Sequence, residues 1–314
     1  MTQLITALLI LAFSCSASAW CIFSCNYTKT KHPIVLVHGV GGFDTLLGVD
    51  YFFGIPDELE DGGATVHVAE LSPFNSNAFR GQSLVEWLED LHATEYSGDP
   101  AVKFNLIGHS LGGPDVRYVA AVRPDLVASV STVGASHKGL DPGIDAAAQA
   151  IDSVTGIASS SAAQVFIDFI SFFYPNDDPV DWLANFNAVI GDGPAQFNAM
   201  FPAGIPTTDC GEGEYVTTTS HGTIRNYSWV GSDPVTNVLD PSDALFGALS
   251  LLTTERNDGL IWSCGAHFGR VIRDDYRMNH GDEINQTLGF TSLFETDPKQ
   301  LYRNHANRLK NAGL

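Results

Sequence analysis

Residues 104–113 read Phe104-Asn105-Leu106-Ile107-Gly108-His109-Ser110-Leu111-Gly112-Gly113. The run from Phe104 to Ile107 is short, apolar and bounded by glycine, as a buried strand is, and the paired glycines beyond Leu111 open a helix-like stretch. Between them, Gly108-His109-Ser110-Leu111-Gly112 fits G-x-S-x-G, a turn so sharp that small residues must flank the serine whose hydroxyl it lifts above the strand end. As a bare pattern the match is weak in a chain with 30 glycines. The strand before it and the helix after it make it specific, and they mark Ser110 as a nucleophile. A tight glycine turn with no chemistry is the plain alternative.

Outward from this elbow, strand-like and helical patterns alternate. Ile34-Val35-Leu36-Val37 is bounded by Pro33 and Gly39, residues 65–69 look similar, and residues 127–133 carry a weaker strand signal. Leu84, Trp87, Leu88 and Leu91 recur at helical spacing, as do Val116, Val119 and Ala120. Such βαβ alternation predicts a mostly parallel sheet with helices on both faces, and together with the elbow it predicts the α/β-hydrolase fold. The strand signal disappears over residues 141–175, where such a fold would insert a helical cap.

Composition narrows the possibilities. With 16 Lys and Arg against 36 Asp and Glu, the formal charge is −20, which speaks against a nucleic-acid partner. At 44% hydrophobic and 17% charged, the chain can bury a large core. Residues 4–13 are apolar apart from Thr6, and small residues follow up to Ala17-Ser18-Ala19, so residues 1–19 read as a secretory signal with cleavage before Trp20, although its start carries no Lys or Arg. Residues 20–314 are then a single exported domain, without a membrane-spanning run. Cleavage removes Cys15 and leaves Cys21, Cys25, Cys210 and Cys264, an even set suited to disulfides and unlike a zinc site.

A serine needs a base to take its proton and donors to hold the oxyanion that forms. One donor is the N–H of Leu111. The second comes from the glycine-rich loop Val37-His38-Gly39-Val40-Gly41-Gly42, where Val40 is the expected donor and His38 reads as a buried residue that fixes the loop. In this fold the acid and then the histidine follow the serine. Asp258, in Asn257-Asp258-Gly259, and His280, in Asn279-His280-Gly281, form a candidate pair, yet His137, His221, His267 and His305 also lie downstream and spacing does not choose among them.

From about Thr28 to Leu314 the chain resembles the secreted family I triacylglycerol lipases of the Pseudomonas type. The matching stretches include His38-Gly39 with Gly42-Phe43-Asp44, Gly48-Val49-Asp50-Tyr51, Arg117-Tyr118-Val119-Ala120-Ala121-Val122-Arg123-Pro124, Leu239-Asp240-Pro241-Ser242-Asp243 and Tyr276-Arg277-Met278-Asn279-His280. The resemblance implies a triad of Ser110, Asp258 and His280 with Val40 and Leu111 as oxyanion donors. It further implies one structural Ca²⁺, held by Asp240 and Asp282 carboxylates and by the carbonyls of Gln286 and Phe290, and a Cys210–Cys264 disulfide. Two departures are Leu111, where relatives commonly carry a polar residue, and Ser136, where they tend to carry proline.

By position, residues 141–175 match the family lid. Ile144, Ala147, Ala148 and Ile151 share one helical face, as do Phe166, Phe169, Ile170 and Phe173, and an amphipathic face serves equally well as core. The expected activity is hydrolysis of long-chain acylglycerols at a lipid–water interface. The resemblance also points to a membrane-anchored foldase and type II secretion as partners. A carboxylesterase on soluble short-chain esters is the rival enzyme, and a non-catalytic lipid-binding module is the rival of another class.

Overall fold

The computed structural model describes residues 26–42, 45–46, 49–156, 180–237, 240–253, 255–286, 289 and 295–314. The expected signal segment, Cys21, Cys25, Phe290 and the second cap helix at residues 165–173 lie outside the described residues.

Seven strands form one sheet: β1 (Ile34–Val37), β2 (Val66–Ala69), β3 (Phe104–His109), β4 (Val127–Val133), β5 (Val216–Thr219), β6 (Gly222–Gly231) and β7 (Arg270–Tyr276). Their order is β2-β1-β3-β4-β6, and along the outer edge of β6 run β5 and then β7. All pairings are parallel except β5 with β6. The helices are α1 (Ile55–Asp61), α2 (Asn77–Glu95), α3 (Gly112–Val122), α4 (Pro142–Thr155), α5 (Trp182–Val189), α6 (Gly193–Met200), α7 (Pro241–Ser250) and α8 (Pro298–Asn311).

Alternation along β1 divides the core. Val35 and Val37 face a cluster with Leu84, Leu88, Val116 and Val119 from α2 and α3. Ile34 and Leu36 face the other way, toward Ile55 and Leu59 of α1 and Tyr302 and Ala306 of α8. A central strand buried on both faces needs apolar residues at every position, and all four of these are fully buried.

β4 is stronger than its sequence signal. All seven residues are buried although three are Ser or Thr. Ser129 Oγ donates to Asn105 Oδ1 at 2.7 Å, Ser131 Oγ bonds His305 Nε2 at 2.7 Å and Thr132 Oγ1 bonds His137 Nε2 at 3.1 Å. Buried hydroxyls with partners cost little, so polar residues here do not weaken the strand. α4 confirms the helical face read at Ile144, and its N-cap Asp141 accepts from Gly143 N at 2.9 Å.

Candidate active site

Ser110 sits between β3 and α3 with φ of +54°, a left-handed conformation rare for a non-glycine residue and held here by its surroundings. Its N–H donates to Val133 O at 2.9 Å, and its carbonyl accepts from Gly113 N at 3.0 Å. The turn needs small neighbours: a Cβ on Gly108 would lie 2.2 Å from Gly112 O. Local sequence thus builds the elbow, while contacts with β4 hold it.

Asp258 and His280 meet, although 22 residues separate them. His280 Nδ1 lies 2.7 Å from Asp258 Oδ2, and His280 N donates to Asp258 O at 2.9 Å. The other carboxylate oxygen accepts from Leu260 N at 2.9 Å and Ile261 N at 2.7 Å, so the acid is fixed at both ends. Both residues are buried. None of His137, His221, His267 and His305 borders the cavity that Ser110 and His280 share.

That cavity of about 560 Å³ is also lined by Val40, Leu245, Phe246 and Leu249. Among the described residues no hydrogen bond joins Ser110 Oγ to the imidazole, a separation usual before substrate seats. Nor do the N–H groups of Val40 and Leu111 donate to any protein acceptor there. Two free amides beside a nucleophile are what an oxyanion requires.

His38 holds the loop, as its sequence position suggested. Its Nε2 accepts from Leu71 N at 3.1 Å, and burial together with Arg80 pushes its pKa down to about 3, so the ring stays neutral. Arg80 escaped the sequence reading. Fully buried, it donates Nη2 to His38 O at 2.6 Å, Nη1 to Ser72 O and Nε to Asp115 Oδ2 at 2.8 Å. One side chain therefore ties the loop at residues 37–42 to α3 behind Ser110. A single arginine inside an amphipathic helix gives no sign of that role in sequence.

A second network was also missed. Gly39 N donates to Tyr51 Oη at 3.0 Å, Tyr51 Oη bonds His109 Nδ1 at 2.8 Å, and His109 Nε2 lies 3.3 Å from Glu283 Oε2. Glu283 Oε1 accepts from Gly231 N at 2.6 Å, and its Oε2 is 3.8 Å from His280 Nδ1. Burial and then Asp258 push the Glu283 pKa well up, while burial and His280 push that of His109 well down. Gly134, at φ +46°, makes room: a Cβ there would lie 1.9 Å from Glu283 Oε2. His109, His280 and Glu283 place metal-ligand-type atoms within 4.8 Å of one another. Both Nδ1 atoms already have partners, Tyr51 for His109 and Asp258 for His280, and a cation bound at His280 would take that ring from its acid.

Asp240 and Asp282 are both buried. Asp240 Oδ1 caps α7 by accepting from Ser242 N at 2.7 Å, and Asp282 Oδ2 accepts from Asn279 N at 2.8 Å and Thr236 Oγ1 at 3.0 Å. Burial raises the Asp282 pKa to about 7, with Glu295 and Asp240 adding repulsion. Gln286 uses its side-chain amide on Asp50 O, at 2.7 Å, and on Tyr51 O. Cys210 and Cys264 form a disulfide with Cα atoms 4.7 Å apart across a sequence separation of 54, a closure that stabilises by roughly 2–4 kcal/mol in the chain-entropy view.

A family profile described as the alpha/beta hydrolase fold matches residues 32–179. A triacylglycerol lipase of Vibrio cholerae is 47% identical over the full length of both chains. A triacylglycerol lipase of Burkholderia plantarii is 35% identical over 95% of this chain and 91% of its own. Among solved structures, EstA from Clostridium botulinum superposes with a TM-score of 0.57 over 90% of this chain and 88% of its own, at 17% identity, a likeness of fold. With this fold, an elbow serine that shares one cavity with the histidine of an Asp–His pair, and relatives of this identity along its whole length, the chain belongs to the bacterial triacylglycerol lipases.

Proposed function

We propose that this lipase hydrolyses long-chain acylglycerols at a lipid–water interface through an acyl-enzyme on Ser110. His280 Nε2 takes the Ser110 proton as Oγ attacks the ester carbonyl, while Asp258 holds Nδ1–H and so fixes the tautomer. The N–H groups of Val40 and Leu111 receive the negative charge on the former carbonyl oxygen. Collapse returns the proton from Nε2 to the departing glycerol oxygen. Water, deprotonated by the same imidazole, then releases the fatty acid. Residues 20–314 act as one domain, exported after loss of residues 1–19, and residues 141–175 form the lid.

The observation that carries the long-chain reading is an apolar rim continuous with the cavity. Leu245, Phe246 and Leu249 of α7 line it, and Leu245, Leu251 and Leu252 are 59%, 84% and 50% exposed. α4 backs onto the same segment, where Gly143 approaches Leu252 O. Sequence reading placed the lipid-facing surface in residues 141–175 alone. α7 adds a second flank. Leucines in water gain about 1 kcal/mol or more each when covered by oil, enough together to shift a closed–open equilibrium strongly.

The test is a rate comparison between emulsified triolein and dissolved tributyrin. The enzyme is expected to accelerate once droplets form, and exchanging Leu251 and Leu252, which lie outside the cavity, for serine should reduce the triolein rate about tenfold while sparing tributyrin. Equal losses on both substrates would favour the carboxylesterase.

One structural Ca²⁺ belongs to this reading. Two buried carboxylates that repel each other, with Glu295 beside them, form a hard, anionic donor set of the kind calcium prefers, and the Gln286 carbonyl lies in the same loop. Asp240 and Asp282 would hold the ion, with the Gln286 and Phe290 carbonyls. When bound it would supply charge neutralisation and loop closure, because Asp282 is two residues from His280. Exhaustive chelation is expected to lower melting temperature and turnover together, and Asp282→Ala to reproduce both losses; unchanged melting and turnover after chelation would remove the site. Export by the type II route with a foldase accords with the same family membership, and among the described residues no helix is long and apolar enough to cross a membrane.

A further inference from the structure

In a chain of formal charge −20, cations are expected to be matched by acids. Arg80, Arg123, Arg256, Arg273, Arg277 and Arg303 each face a carboxylate within 4 Å. Arg117, Arg225, Arg270 and Arg308 face none among the described residues; Arg117 is buried and donates to Phe201 O, which leaves Arg225, Arg270 and Arg308. These three gather in one place.

The place is the seam where β5 gives way to β7 along the edge of β6. Tyr215, just before β5, stands at its centre: the Arg225 guanidinium is 5.9 Å and that of Arg270 5.8 Å from its ring centroid. The backbone holds these residues in register, since Asn226 N donates to Tyr215 O at 2.8 Å and Tyr227 pairs with Arg270. Tyr215 Oη bonds Tyr227 Oη at 3.0 Å. Arg308 comes in from α8, with Nη1 2.9 Å from His305 Nδ1. Burial pushes the Arg308 pKa down and Arg270 adds repulsion, and the groups that oppose this are the phenols of Tyr276, Tyr227 and Tyr215, with no carboxylate among them. Arg270 is exposed and the other two are half-buried, so a ligand can reach the cluster.

Arg270 and Arg308 repel each other, while the hydroxyls of Tyr215 and Tyr227 hold Arg225, whose Nη1 donates to Tyr215 Oη at 3.5 Å. A group with several anionic oxygens would offer an acceptor to each guanidinium, as a single carboxylate cannot. Arg225 pairs with Ser129 near the start of β4, whereas Ser110 follows the other end of β3. Occupancy here leaves the catalytic cavity open.

We propose that Arg225, Arg270 and Arg308 around Tyr215 form a binding site for a phosphate monoester group, separate from the ester-hydrolysing cavity. Such a group is presented either by a phosphorylated lipid headgroup or by a soluble phosphate, and the two sources can be told apart.

The experiment is co-sedimentation of the intact enzyme with vesicles of phosphatidylcholine, with and without phosphatidic acid, together with melting curves in inorganic phosphate against chloride at equal ionic strength. Phosphatidic acid is expected to recruit the enzyme. The Arg225→Gln/Arg270→Gln pair should weaken that binding about tenfold or more while leaving the tributyrin rate unchanged. Arg270→Lys, which keeps the charge and loses the fork, should fall between. Recruitment to vesicles with no phosphate effect on melting assigns the site to a headgroup; a raised melting temperature in phosphate, lost in the double variant, assigns it to a soluble phosphate. If neither probe distinguishes the double variant from the wild type, the site does not exist. The tributyrin rate keeps this outcome apart from any failure of the lipase mechanism, because none of the three arginines borders the catalytic cavity.

Discussion

Ser110→Gly is expected to lower kcat on dissolved tributyrin by roughly six orders of magnitude, the cost of losing a nucleophile that works as one unit with its base and acid. Stability should move the other way. Ser110 holds φ at +54°, where a Cβ-bearing residue stores on the order of 1 kcal/mol that glycine does not. The melting temperature of Ser110→Gly should therefore equal or exceed that of the wild type, measured by calorimetry beside the kinetics. Lipid binding should persist in the variant. Hydrolysis that survived the substitution would remove Ser110 from the mechanism and reopen the reading of a lipid-binding module.

Arg80→Met should be the most destabilising single change outside the apolar core. It leaves the Asp115 carboxylate buried without its cation and frees the His38 and Ser72 carbonyls, a loss of about 3–5 kcal/mol. For a chain of this size that lowers the melting temperature by about 10 °C. Burial already pushes the Asp115 pKa up to about 7, and Arg80 is the charge that pulls it down. Without Arg80 it should rise further. A carboxyl raised in the folded state binds its proton more tightly there than when unfolded, so the variant should lose stability as pH rises from about 4 through 7 and beyond. A variant that melts like the wild type at every pH would mean that Arg80 contributes nothing net. Activity should fall as well, because the loop carrying Val40 loses its tie to α3.

The elbow was legible because its constraints are local. A strand, a turn that tolerates only small flanking residues and a helix all fall within residues 104–122, and sterics alone write that pattern. β1 was legible for a related reason, since burial on both faces demands apolar residues throughout. β4 was harder to read: its serines and threonine find partners in Asn105, His305 and His137, which are distant in sequence, so polarity there no longer signals exposure.

The acid and the histidine mark the boundary. Both occupy loops whose sequences fit many roles, and the resemblance to known lipases, not spacing, points to Asp258 and His280, which the fold brings to a 2.7 Å contact. The sequence by itself determined the fold class and the elbow that carries Ser110, and it marked the glycine-rich loop around Val40, each of which depends on residues close together in the chain. Tertiary structure alone decided that Arg80 clamps that loop, that Glu283 and His109 back the imidazole and that α7 extends the apolar rim. It also set Arg225 and Arg270 against the Tyr215 ring, with Arg308 beside His305 and none of the three facing a carboxylate. Each of these depends on groups tens to hundreds of residues apart, and hydrogen bonds and charges act over a few ångströms whatever the distance along the chain.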